Sequence, residues 1–143
     1  MEFTLVLPIV LLLLLGMVDF GKAFNYWIDT THLANEGARY AVVNKNPSTT
    51  PGQSLQQYIQ GEADTGELRN GGSSSLPTAA QVCIDFPNST SNVGDPVRVT
   101  VRADYHLLPF LGDKLSISVP KALDSTATMR LEAPPSNYAA GCS

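Results

Sequence analysis

Residues 2–43 read EFTLVLPIVLLLLLGMVDFGKAFNYWIDTTHLANEGARYAVV, and the organisation of the whole chain follows from them. Residues 3–18 carry no charge and lie between Glu2 and Asp19. At 1.5 Å per helical residue they cover about 24 Å, slightly short of the roughly 30 Å hydrocarbon core of a bilayer. Phe20, Ala23, Phe24, Tyr26 and Trp27 extend the run, Lys22 is long enough to snorkel, and Tyr26 and Trp27 suit a membrane–water boundary. Three readings compete. A cleaved signal peptide wants a basic start and a small-x-small cleavage site; Met1-Glu2 is acidic and no Ala-x-Ala follows. A buried core helix rarely contains five consecutive leucines, as Leu11 to Leu15 do. A retained membrane helix is favoured. The flanking charges balance, so the positive-inside rule assigns no orientation.

The helix is expected to continue past the apolar run. No proline occurs between Pro8 and Pro47. Phe20, Phe24, Trp27, Ile28, Leu33, Ala34, Ala38, Ala41 and Val42 recur at spacings of three and four, with one slip at Leu33. Lys22, Asn25, Asp29, His32, Asn35, Glu36 and Arg39 fall opposite, and Glu36 and Arg39 are placed to pair across a turn. Asn46-Pro47-Ser48 is the expected stop. The expected division is 1–22 as a transmembrane segment, 23–45 as the amphipathic continuation of that helix, and 46–143 as an exported α+β domain.

In that domain Ser54 is expected to cap a short helix over about 55–63, and 65–77 to be loop. The pattern then changes to period two. Residues 81–86 alternate; 96–105 alternate better, with Val97, Val99, Val101, Ala103 and Tyr105 on one face. Asn92-Val93-Gly94-Asp95 reads as the loop between them. Leu115, Ile117 and Val119 predict a third strand, and 125–132 a fourth with Ala127, Met129 and Leu131 inward. Successive strands without intervening helices argue an antiparallel sheet, and the apolar face of the first helix is its natural cover. The fold class is therefore α+β: a long N-terminal membrane-anchored helix on a small antiparallel sheet.

The composition excludes several functions. The 143 residues include 9 Lys plus Arg and 13 Asp plus Glu, a net charge of −4. The basic residues are scattered, which argues against nucleic-acid binding. Two His and two Cys show no metal spacing, and no cofactor is expected. An enzyme needs a nucleophile–base pair, a carboxylate dyad or a metal cluster, and the sequence contains no G-x-S-x-G, H-E-x-x-H, P-loop or C-x-x-C motif. Cys83 and Cys142 suggest one disulfide in an exported domain; two free thiols with a mobile tail are the alternative.

Two motifs carry a resemblance. Glu2-Phe3 before the apolar run, Leu7-Pro8 within it and Asp19-Phe20-Gly21-Lys22-Ala23-Phe24 closing it form the first; Glu36-Gly37-Ala38-Arg39-Tyr40-Ala41 is the second. Together they resemble the start of TadE-like proteins, pseudopilins of the tight-adherence (Flp) pilus assembly system, and Thr128-Met129-Arg130-Leu131-Glu132 is a weaker match near the other end. The resemblance implies a non-enzymatic, single-pass membrane pseudopilin whose partners are membrane lipid, other pseudopilins and pilin subunits. It also implies that Glu2 pairs with a neighbouring subunit and sets register during assembly; an ordinary acid at headgroup level is the other reading. Family members carry a basic leader ending in Gly that a prepilin peptidase cleaves. Met1 directly precedes Glu2 here, so no cleavage site is assigned on this sequence. A membrane-tethered or secreted binding domain, or an exported enzyme, are the alternative functions.

Overall fold

The computed structural model describes residues 2–107 and 119–143. Helix α1 (Glu2–Val42) runs unbroken through Pro8. It is followed by the short helices α2 (Leu55–Gly61) and α3 (Gly66–Asn70) and by strands β1 (Gln81–Asp85), β2 (Pro96–Leu107), β3 (Val119–Arg130) and β4 (Gly141–Cys142). The sheet has the order β3-β2-β1-β4, and every neighbouring pair is antiparallel.

The second half of α1 lies across one face of this sheet. Along β2 the alternation places Val97, Val99, Val101, Ala103 and Tyr105 inward, all buried, with Val82 and Ile84 of β1 beside them. Leu33, Ala34, Ala38, Ala41 and Val42 of α1 meet that apolar surface. The small side chains let the backbones approach closely. At Gly37 an added Cβ would lie 2.7 Å from Ile59 Cδ1 and 3.1 Å from Val99 Cγ1, so α1, α2 and β2 converge at this residue. One polar knot interrupts the contact: the Ser125 hydroxyl of β3 is 3.0 Å from both the Thr30 and Thr31 hydroxyls.

Several boundaries differ from the sequence expectation. Helix α1 ends before Asn46-Pro47, because Asn44 adopts a left-handed φ of 51°. The Asn44 N–H donates to Ala41 O and the Lys45 N–H to Tyr40 O, the paired bonds of a Schellman cap. Asn44 also anchors the C-terminal tail. Its Oδ1 accepts the Ser136 and Asn137 N–H groups at 2.9 Å each, its Nδ2 donates to Ser136 Oγ, and its carbonyl accepts from Asn137 Nδ2. Ser54 caps α2 as expected, in a reciprocal capping box with Gln57. The segment expected to be loop contains α3, a single turn capped by Thr65 and pinned by buried Leu68. Val119 and 125–130 belong to one strand, β3, which pairs with β2 from Leu107↔Val119 to Pro96↔Arg130. Leu115 and Ile117 lie outside the described residues. The last strand, β4, falls in what reads as tail: Cys83 and Cys142 are register partners and are disulfide-bonded.

Candidate functional site

Before Asp19, none of the described side chains of α1 is buried. From Phe3 to Phe20 almost every large apolar side chain is exposed, Phe3 at 86% and Met17 and Val18 at 70%. Among the described residues this is the one helix long and apolar enough to cross a membrane. Leucine-rich surface on this scale is unfavourable in water at roughly 25 cal/mol per Å², so it needs an apolar environment.

The site of interest is where this bare half becomes the core half. Asp19 stands at the junction, and its Oδ1 accepts the Tyr105 hydroxyl at 2.5 Å. Tyr105 is 1% exposed at the end of the β2 inner face, and its ring lies 5.7 Å from that of Tyr26. Burial, then the Asp19 carboxylate, pushes the Tyr105 phenol well above its ordinary 10, so the hydroxyl remains a donor. On the α3 side Lys22 Nζ lies 3.6 Å from Glu67 and 6.0 Å from the Tyr26 ring centroid. The point at which the helix leaves the globular part is thus set by Asp19 and Tyr105, with Lys22 and Glu67 alongside. Tyr105→Phe keeps the ring contacts but removes the donor from Asp19. It is expected to cost about 1.5–3 kcal/mol in denaturant unfolding, with Asp19→Asn milder because an amide oxygen still accepts. A change below about 0.5 kcal/mol in Tyr105→Phe would show that the junction is held by packing alone.

The helical face expected from the sequence is divided in two. Leu33, Ala34, Ala38, Ala41 and Val42 are buried, but Phe20, Phe24, Trp27 and Ile28 are exposed at 70, 50, 47 and 52%. Over that stretch the buried positions are Tyr26, Asp29 and Thr30. Tyr26, expected at the membrane boundary, is a core residue, and only Trp27 of that pair is free to meet it. Asp29, expected on the solvated face, is 5% exposed and its Oδ2 accepts the Asp64 N–H at 3.0 Å.

Burial pushes the Asp29 carboxyl above its ordinary 3.8 and the neighbouring Asp64 charge adds to this, while backbone N–H bonds from Asp64 and Thr65 oppose it. The folded chain therefore holds this proton to higher pH than the unfolded chain. The Asp29 contribution to stability is complete below the ordinary value and is lost as pH rises through the raised one. Asp29→Asn retains an acceptor for Asp64 and removes that loss. Across a pH series of denaturant midpoints, wild type should fall relative to the variant as pH rises from about 4. Wild type gaining on the variant would mean that the N–H bonds to the charged carboxylate outweigh its desolvation.

The remaining expected site residues are dispersed. Glu2 opens the α1 backbone, and its side chain lies outside the described residues. Phe20 is exposed, and a Cβ on Gly21 would meet nothing within 4 Å, so neither packs inside the chain. Glu36 does not pair with Arg39; it accepts the Tyr40 hydroxyl at 3.1 Å and lies 3.8 Å from His32 Nδ1. Arg39 is exposed in the last turn of α1, where a cation complements the helix dipole. Gly37 is the packing point described above. Tyr105, Asn44 and Ser125 did not emerge from the sequence as site residues, because their partners are 86 or more residues away. Among the described residues no group of three or more His, Cys, Asp or Glu is placed to hold a metal ion.

Residues 1–39 match the family model described as TadE-like protein. No match was found among curated proteins or solved structures. The matched stretch contains the bare half of α1, the Asp19 junction and the Gly37 packing point, and it ends before the sheet begins.

Proposed function

We propose that the chain is a non-enzymatic minor pseudopilin that takes part in assembling an adhesive tight-adherence (Flp) pilus. Residues 1–22 span the cell membrane, 23–45 continue the helix as the spine of the globular part, and 46–143 form an exported α+β domain. The observation that carries this reading is the continuity of α1. One helix has an exposed apolar half and a half packed on the sheet, and the TadE-like match covers the first and most of the second. A rigid connection of this kind transmits position between bilayer and domain, which suits a subunit that is held in the membrane and contacts others outside it. Glu2 is the proposed assembly contact. The nearest basic residue of the same helix is Lys22, about 30 Å along its axis, so a partner for the carboxylate must come from elsewhere. Pseudopilins and pilin subunits are the proposed protein partners, and processing by a prepilin peptidase belongs to the same reading.

Deleting the gene should abolish surface pili while pilin continues to accumulate in the membrane, and the wild-type chain should restore them. Glu2→Ala should insert into the membrane normally yet restore fewer pili. Full piliation without the chain would overturn the assembly role; full piliation with Glu2→Ala would return Glu2 to an ordinary headgroup-level acid.

A further inference from the structure

The exposed aromatic residues of α1 occupy one side of the molecule. Phe20, Phe24 and Trp27 lie on the β3 side of the helix, where with Ala23 and Leu123 they line a shallow groove of about 190 Å³ made entirely of apolar side chains. The Phe24 and Trp27 rings are 5.8 Å apart. The opposite side of the same turns is mostly polar: Lys22 pairs with Glu67, Asp29 binds the Asp64 backbone, and Asn25 and His32, with Ile28 beside them, line the space between. Leu123 belongs to β3, so the sheet contributes to the apolar side as well as the helix.

Depth along α1 matches this one-sidedness. A hydrocarbon core of about 30 Å measured from Phe3 ends near residues 22–23. Phe20 then lies just inside it, Phe24 at its boundary, and Trp27 about 6 Å beyond, within the headgroup layer. At that height an indole has its ring among acyl ends and glycerol groups and its N–H among ester oxygens. Among the described residues the Trp27 indole N–H has no acceptor. The same placement brings Asp19 to the hydrocarbon margin, where a carboxylate needs a donor, and Tyr105 supplies one.

We propose that the Phe20–Phe24–Trp27–Leu123 ridge is a lipid-binding face, seated in the acyl–headgroup boundary of the leaflet on the domain's side. The globular part then rests against the bilayer through its β3 side and does not stand clear of it. The occupant is phospholipid, because the ridge continues the exposed apolar surface of the proposed membrane-spanning segment without a break. This inference rests on the anchoring reading above.

Trp27 is the single tryptophan of the chain, so its fluorescence reports this face alone. The full chain is reconstituted in phosphatidylcholine–phosphatidylglycerol vesicles carrying bromine either near the glycerol end of the acyl chain or near its terminal methyl. The expected result is flotation with the vesicles and quenching by the shallow bromolipid about two-fold or more stronger than by the deep one, with weak quenching by aqueous iodide. Phe24→Glu, an exposed position, should still float with unchanged circular dichroism but lose most of the shallow quenching. Three results overturn the proposal while leaving the anchor intact: flotation with Trp27 open to iodide and unaffected by bromolipid; shielding from both quenchers that grows with the protein-to-lipid ratio, which would assign the ridge to a second copy; or undiminished quenching in Phe24→Glu. Failure to float with vesicles would overturn the anchoring reading and this inference with it.

Discussion

Replacing Cys83 and Cys142 together by serine should lower the unfolding free energy of the globular part by about 4 kcal/mol. The bond closes a loop across a sequence separation of 59 residues, and the loop-entropy relation gives this value for that length. It is expected to be among the largest single effects in the chain. The bond does not hold the tail alone, however. Asn44 binds Ser136 and Asn137, Gln56 donates to Ala139 O at 2.8 Å, and the Ser143 N–H reaches Val82 O at 3.0 Å. Tyr138 donates to Ala41 O at 2.9 Å and stacks on Phe86, and burial pushes its phenol up to about 12. The double serine variant should therefore unfold at much lower denaturant while its tail stays docked under native conditions. Limited proteolysis distinguishes the outcomes. Early cleavage after residue 132 in the folded variant would mean that the disulfide, not the Asn44 and Tyr138 contacts, holds the tail.

Gly37→Val should be nearly as damaging, at about 3 kcal/mol. Alanine here is a smaller test. Its Cβ meets the flexible end of Ile59, and replacing a mid-helix glycine returns up to about 1 kcal/mol of helix propensity, so the net change is small. Valine adds γ-carbons against both Ile59 and Val99, and these cannot be accommodated without lifting α1 from β2. Thermal or denaturant unfolding of the two variants measures the difference. A valine variant within about 0.5 kcal/mol of wild type would show that Gly37 does not set the helix-to-sheet distance.

The features legible in the sequence are those with strong local periodicity. The apolar run and the absence of proline between Pro8 and Pro47 are enough for a helix extending well past the bilayer thickness, and α1 is that helix. The valine alternation of β2 identifies its buried face residue by residue. Short elements were harder. α3 is one turn, held by the Thr65 cap and the burial of Leu68, and β4 is two residues held by pairing to β1. Neither is long enough to show a period. The division of β3 into two strands failed for a related reason: Pro120, Lys121 and Asp124 interrupt the local apolar alternation. Continuous pairing to twelve residues of β2, with Asp124 meeting Arg102 at 2.9 Å across the strands, keeps this segment extended.

By itself, the sequence determined that a bilayer-length apolar segment runs into a helix with a sheet-covering face, and that small residues line part of that face. Which side of the helix turns inward was decided only in the tertiary structure. Around residues 20–30 two stripes satisfy helical spacing: Phe20, Phe24, Trp27 and Ile28 on one side, and Asp19, Ala23, Tyr26 and Thr30 on the other. Hydrophobicity favours the first, yet the second faces the sheet. The small residues at Ala34, Gly37, Ala38 and Ala41 fix the rotation of α1 against the valines of β2, and a rigid helix carries that rotation back to Asp19. There Tyr105 meets a carboxylate, and the larger aromatics are left facing outward. Burial is a property of two surfaces together, and the Tyr105 that meets Asp19 lies 86 residues further along the chain.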